Sequence, residues 1–147
     1  MKLSILHNKI DKLIGKELGR NSLIYSSYPI RGGIFTKSKN SKPTISVEVP
    51  TLNLAKRKDN FNLLIKAHEL GHFYDYLQFP FSAKENSRSY KRLGISAKKW
   101  RVSNYKREVR AWKNAEWILK TLGYKNITFL NNEKEKNLEL YRNYYQL

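Results

Sequence analysis

Cysteine is absent from this chain of 147 residues. That excludes disulfides and thiolate metal ligands, and it suits a reducing compartment. Long apolar runs are missing as well. No stretch approaches the ~20 apolar residues of a membrane span. The first residues, Met-Lys-Leu-Ser-Ile-Leu-His-Asn-Lys-Ile, hold no run long enough for a signal peptide. The expectation is a cytoplasmic protein that makes no use of a membrane. There are no internal repeats and no low-complexity linker, so residues 1–147 are expected to form a single domain, long enough to bury a real core. Acids are scarce: 12 Asp and Glu face 29 Lys and Arg, a formal charge of +17. Histidine is scarcer still, at three.

Two of those histidines lie in one pentapeptide, His68-Glu69-Leu70-Gly71-His72. This is the H-E-x-x-H pattern, and each residue type in it has a chemical task. Histidines four apart share one face of a helix, so His68 and His72 can turn a ring nitrogen toward one ion. Neutral imidazole suits Zn²⁺, which takes nitrogen or oxygen ligands at roughly 2.0–2.2 Å in a tetrahedral site. Glu69 stands about 100° round the helix from His68. There it is placed to take a proton from a metal-activated water and later hand it to a leaving amine.

The flanking sequence supplies the helix. With about 100° per residue over 61–78, Leu63, Ala67, Leu70, Phe73, Tyr74 and Leu77 fall within an arc of roughly 120°. That arc is the expected core face. His68, Gly71, His72 and Asp75 gather opposite, on a surface that is either solvent or a cleft. Gly71 costs about 1 kcal/mol against alanine in a helix interior. It either admits a close approach to the backbone or is simply tolerated. Asp75 has three readings: acceptor from the non-metal nitrogen of a liganding histidine, third ligand, or solvated aspartate.

A catalytic zinc site usually has three protein ligands and an open position. Residues 104–122 form a second helical pattern that ends at Gly123. Its apolar stripe is Tyr105, Ala111, Trp112, Ala115, Ile118, Leu119 and Leu122, with Glu108 in the middle. A glutamate centred on a buried face is costly unless it is paired or binds metal. Glu108 is therefore the candidate third ligand, with a salt bridge to Lys106, Arg107, Arg110 or another basic group as the other reading. Glu116 lies at the stripe's edge and can reach solvent.

The rest of the layout is α, then β, then α. Residues 3–18 read as an amphipathic helix ending near Gly19. Leu23–Tyr28 and Thr44–Val49 read as strands, with Ile34–Thr36 a short third, and Gly32-Gly33 and Ser38–Pro43 are turn material. Residues 79–103 read as an irregular basic insertion with a short helix near 96–102. Residues 131–145 read as a terminal helix with Leu138 and Tyr141 inward. The strand before the motif helix, if exposed at a sheet edge, can hold an extended peptide across a metal cleft.

Ala67-His68-Glu69-Leu70-Gly71-His72, followed by Glu108-x-x-Ala111-x-x-x-Ala115-x-x-Ile118-Leu119, resembles the gluzincin-like minimal metallopeptidases, and among them the ImmA/IrrE type. The resemblance covers roughly residues 1–122. It implies a small α+β zincin-like fold and a zinc-dependent endopeptidase, with His68, His72 and Glu108 as ligands and Glu69 as base. Such proteins are often encoded by phages and mobile elements, and several act on DNA-binding repressors. This chain departs from the pattern in the long insertion, in Trp112 and Trp117 beside the small residues, and in having no helix-turn-helix domain.

The charge has its own implications. Between Lys84 and Lys113 eleven Lys and Arg are opposed only by Glu85 and Glu108, with Tyr90, Trp100 and Tyr105 interleaved. Basic residues among aromatics can follow a phosphate backbone and stack on bases. Lys91, Arg92, Lys98 and Lys99 are the candidate contacts. An acidic protein partner accounts for the charge equally well, as does an evenly spread solubilising surface. The leading expectation is a zinc metallopeptidase that cleaves a protein partner. The alternative is a nucleic-acid-binding or host-factor-binding protein on a zincin fold with little or no turnover.

Overall fold

The computed structural model describes residues 2–26, 32–37, 40–49, 53–80 and 96–147. Eight elements follow in order: α1 (Leu3–Leu18), β1 (Leu23–Ser26), β2 (Gly33–Thr36), β3 (Thr44–Glu48), α2 (Leu54–Arg57), α3 (Asn60–Gln78), α4 (Ala97–Leu122) and α5 (Ile127–Tyr144). The fold is α+β, as the sequence pattern predicts: an N-terminal helix, a three-stranded sheet and the helix carrying His68 and His72.

α1 buries Leu6, Ile10, Ile14 and Leu18, a four-residue spacing that keeps one face inward. These side chains meet Leu63, Leu64 and Leu70 of α3 and Ile118 and Leu119 of α4 in one core. The middle strand β3 adds Ile45 and Val47, alternate residues that point the same way. α3 starts where Asp59 accepts from the Asn62 amide at 2.7 Å, an N-cap that satisfies a free helix-end donor.

The sheet order is β1-β3-β2, with β1 parallel and β2 antiparallel to β3. Leu23 pairs with Ile45, and Gly33 with Val47. The strand nearest the motif helix in sequence, β3, is therefore the centre of the sheet and has no edge to offer. The edge beside α3 belongs to β2. Tyr28, expected at the end of the first strand, lies outside the described residues.

Three helix expectations change. The short helix near 96–102 and the helix of 104–122 are one element, α4. Ser96 caps it by accepting from the Lys99 amide at 3.2 Å, and no glycine or proline interrupts 97–122. Of the basic insertion, 97–103 is thus helix, and 81–95 lies outside the described residues. α5 begins four residues early, because Asn126 caps it through the Phe129 amide at 3.2 Å. Leu77, expected in the core, is 58% exposed, one residue from the end of α3.

α3 is buried on more than one side. Against α4 it crosses at Gly71, where an added methyl would collide with the Ala111 carbonyl oxygen and stand 3.3 Å from the Ala115 nitrogen. The close approach that Gly71 permits is thus the backbone of a second helix. Toward α1, Lys66 is fully buried, its ammonium 2.8 Å from Asp11 Oδ1 and 2.9 Å from His7 Nδ1. His7 in turn donates from Nε2 to the Asp59 carbonyl at 2.8 Å.

Candidate metal centre

The crossing of α3 and α4 brings the motif to Glu108. His68 and His72, one turn apart on α3, place their Nε2 atoms 3.2 Å from each other. The Glu108 carboxylate reaches both, Oε2 to His68 Nε2 at 3.0 Å and Oε1 to His72 Nε2 at 3.2 Å. All three side chains are at most 10% exposed. Glu108 makes no salt bridge to Lys106, Arg107 or Arg110; the basic groups it meets are imidazoles, a contact that suits both a ligand and an ion-pair reading. Its partners are the two histidines, and Arg110 is engaged elsewhere.

Glu69 is also buried, but its Oε1 lies farther back, 4.0 Å from His68 Nε2. The ligand atoms of His68, Glu69 and His72 all fall within 4.8 Å of one another, so this group can hold a metal ion. The spacing fits one. A tetrahedral ion with bonds of roughly 2.0–2.2 Å keeps its ligand atoms about 3.3–3.6 Å apart. The two Nε2 atoms and the Glu108 oxygens stand at 3.2, 3.0 and 3.2 Å. A few tenths of an ångström of spreading would therefore admit an ion.

The electrostatics point the same way. Burial alone would raise the Glu108 pKa, but His72 and His68 outweigh it and hold the carboxyl well below the usual range. Burial would depress His72, but Glu108, with Glu69 behind it, holds that imidazole above its ordinary value. Without a metal, the ionised carboxylate is thus met by a His72 imidazole that holds its proton more tightly than usual. A divalent cation would compete with that proton.

The surroundings fix the rings. Trp112, one turn beyond Glu108, packs on His68 with ring centroids 4.5 Å apart, while its indole donates to Asn137 Oδ1 at 2.8 Å. His68 Nδ1 is buried with no hydrogen-bond partner. Asp75, 1% exposed, does not take that proton. Its carboxylate instead receives Arg110 at 2.5 and 3.2 Å, and the guanidinium also covers the Phe79 ring at 4.7 Å.

A cleft of about 190 Å³ opens beside the cluster, with Glu69, His72 and Glu108 on its floor. One wall is the edge strand β2, from Gly33 to Phe35. Gly33 matters to that wall, because an added Cβ would stand 2.5 Å from Ile65 and 2.9 Å from the Glu69 Cγ. The strand can lie against the Glu69 turn of α3 only without a side chain there. The opposite wall includes Arg107 and, from α5, Tyr141. Burial first, then the Glu108 and Glu69 carboxylates, push the Tyr141 phenol far above its ordinary range, so it stays protonated.

Of the residues the sequence pattern placed, Glu69, His72, Asp75 and Glu108 line this cleft, and His68 lies behind it in contact with His72 and Glu108. It did not single out Arg107, Tyr141 or Gly33 as part of the site. Tyr141 was legible only as an inward residue of a terminal helix. Lys98 and Lys99 are exposed in the first turn of α4, and Lys91 and Arg92 lie outside the described residues.

Fold and site together define a small α+β protein with a His-Glu-x-x-His cluster able to hold a metal ion. Among the described residues, no helix is long and apolar enough to cross a membrane. Compared with known proteins, the chain matches no family model, no curated protein and no solved structure.

Proposed function

We propose that this is a zinc-dependent metallopeptidase of the ImmA/IrrE-like zincin type, acting in the cytoplasm on a peptide bond of a protein partner. The observation that carries the reading is Glu108. From a position 40 residues away in sequence it stands at hydrogen-bond distance from both motif histidines, while Glu69 is set back at 4.0 Å. Three groups that converge and a fourth that stands off suit ligands and base respectively. His68, His72 and Glu108 would hold the ion. A zinc-class ion there supplies a Lewis acid for the scissile carbonyl and lowers the pKa of water. Glu69 takes the proton of the attacking water and delivers it to the amine as the C–N bond breaks. A purely structural zinc has four protein ligands and needs no base.

The two glutamates separate the roles. Glu69→Gln should keep one zinc per chain but lower hydrolysis of an unfolded protein such as casein by about 10²–10⁴. Glu108→Ala should lower zinc affinity. Metal lost in the first variant and kept in the second would overturn the assignment. The alternative, a nucleic-acid-binding or host-factor-binding protein on this fold, is favoured by the +17 charge and by exposed Lys98 and Lys99. It requires a bound metal with no turnover.

A further inference from the structure

We infer that Arg107 is the specificity-determining residue of the cleft, binding a carboxylate of an acidic peptide laid beside the metal cluster. The substrate class depends on the peptidase reading above, but the binding does not depend on turnover.

The charges around the cleft differ in whether they are engaged. Glu108 is held by both histidines, at 3.0 and 3.2 Å. Asp75 is closed by Arg110, at 2.5 and 3.2 Å. Arg107, on the same wall, makes no ion pair and no hydrogen bond with any described residue, and its Nε is buried without a partner. An arginine keeps its charge under these conditions. A buried charged donor with no acceptor is costly, and a carboxylate with two oxygens is the shape that answers a guanidinium. Its charge acts on His72, Tyr141 and Tyr145, which places it between the metal cluster and α5.

Arg107 does not stand alone. Asn104 Oδ1 and Arg101 Nε are also buried and unpartnered, three and six residues earlier on α4. Residues spaced by three are neighbours along one side of a helix. Asn104 and Arg101 thus continue the side of α4 that carries Arg107, while Arg107 is the one of the three that lines the cleft. The other wall is a sheet edge with Ile34 and Phe35. A pocket of this size with an apolar wall fits a peptide side chain better than a phosphate backbone. The charge of +17 would draw acidic segments toward it from a distance.

The test uses zinc-loaded Glu69→Gln protein, which binds without cleaving, and fluorescein-labelled peptides read by anisotropy. The peptides differ only in one Glu or Gln near the centre, and in a free or amidated C-terminus. The Glu or free-carboxylate form should bind about tenfold tighter, a charge-assisted pair being worth a decade of affinity. Adding Arg107→Gln should bring that ratio close to one with zinc stoichiometry retained. Arg107→Lys should restore only part of it, because a lysine offers no fork. Dependence on the central Glu assigns a side-chain carboxylate, and dependence on the free terminus assigns the chain end. Equal binding of all peptides by the Glu69→Gln protein overturns the inference, and so does a ratio that survives Arg107→Gln. Arg107-dependent binding of a single-stranded oligonucleotide, with no preference among peptides, also overturns it. Wild-type protein that prefers Glu peptides yet cleaves none would sink the peptidase reading and leave this one standing.

Discussion

Helix α3 carries two buried clusters of titratable groups, and they differ in what is left over. Toward α1, the Lys66 ammonium is shared between Asp11 and His7, and the other His7 nitrogen is taken by the Asp59 carbonyl. One end of this chain of contacts is a backbone group and its middle, Lys66, is fully buried, while Asp11 at the other end is 39% exposed. Toward α4, His68, His72 and Glu108 converge on a common point, and the cluster opens on a cleft. Around it, His68 Nδ1 and Arg107 Nε have no partner. Buried polar groups are normally satisfied within the fold. Where the set closes on itself it serves structure. The other set converges beside an opening and leaves two atoms unpaired among the described residues. The same helix thus holds one cluster that ties it to α1 and another able to hold a metal ion.

The comparison breaks most visibly at the histidines. His68→Ala combined with His72→Ala should take the metal content from one per chain to none, because two ligand positions cannot be replaced. Loss of the Lys66 cluster, through Lys66→Met, should leave the metal content at one. Elemental analysis of protein purified without added zinc decides it. Stoichiometric metal in the double alanine variant would remove the centre from α3.

The next effect is on stability, and it belongs to the other cluster. Asp11→Asn leaves the Lys66 ammonium buried beside a neutral partner. The expected loss is about 2 kcal/mol, below the ~3–5 of a fully buried broken pair, because Asp11 is 39% exposed. Adding Lys66→Met should recover most of that loss, since no unpaired charge then remains. Urea unfolding of the two single variants and the double variant measures the coupling. Losses that simply add would show that the two groups do not depend on each other.

The smallest effect is one of sign. His7 is held below 6.5 by burial and then by the Lys66 charge. The unfolded chain therefore binds the extra proton as pH falls through 6.5, and the fold loses stability there. His72 lies in the opposite case. Burial lowers it, but Glu108 and Glu69 outweigh that and hold it above 6.5. In metal-free protein its contribution is full below 6.5 and disappears as pH rises through the higher folded value. Melting temperatures of chelator-treated protein across this range should show the acid-side loss relieved by His7→Gln and the rise-side loss relieved by His72→Gln. The same direction for both variants would erase the distinction between the clusters.

Much of this was legible beforehand, and the reason differs from element to element. α1 matched its predicted span because apolar residues four apart and a following glycine are local signals. The sequence pattern separates the two halves of α4, because the polar stretch around 103 carries no apolar stripe of its own. The Ser96 cap and an uninterrupted run of helix-tolerant residues join them. Leu77 fits the helical wheel of α3 but lies where no neighbour covers it. Lys66 gave no warning at all, since a lysine on a helix is ordinarily at the surface.

Sequence alone determined the geometry of His68, Glu69 and His72, because helical periodicity sets the direction of residues one and four apart whatever surrounds them. It also marked Glu108, as an acid on an apolar stripe that needs an explanation. Only the tertiary structure decided the rest. It decided that α3 and α4 cross at Gly71 closely enough to bring Glu108 to both histidines. It made β2, and not β3, the edge beside the cleft. It gave Asp75 to Arg110 and left Arg107 Nε without a partner among the described residues. Each of these depends on contacts between residues far apart in the chain, and such pairings are set by how whole faces pack, which no local pattern encodes.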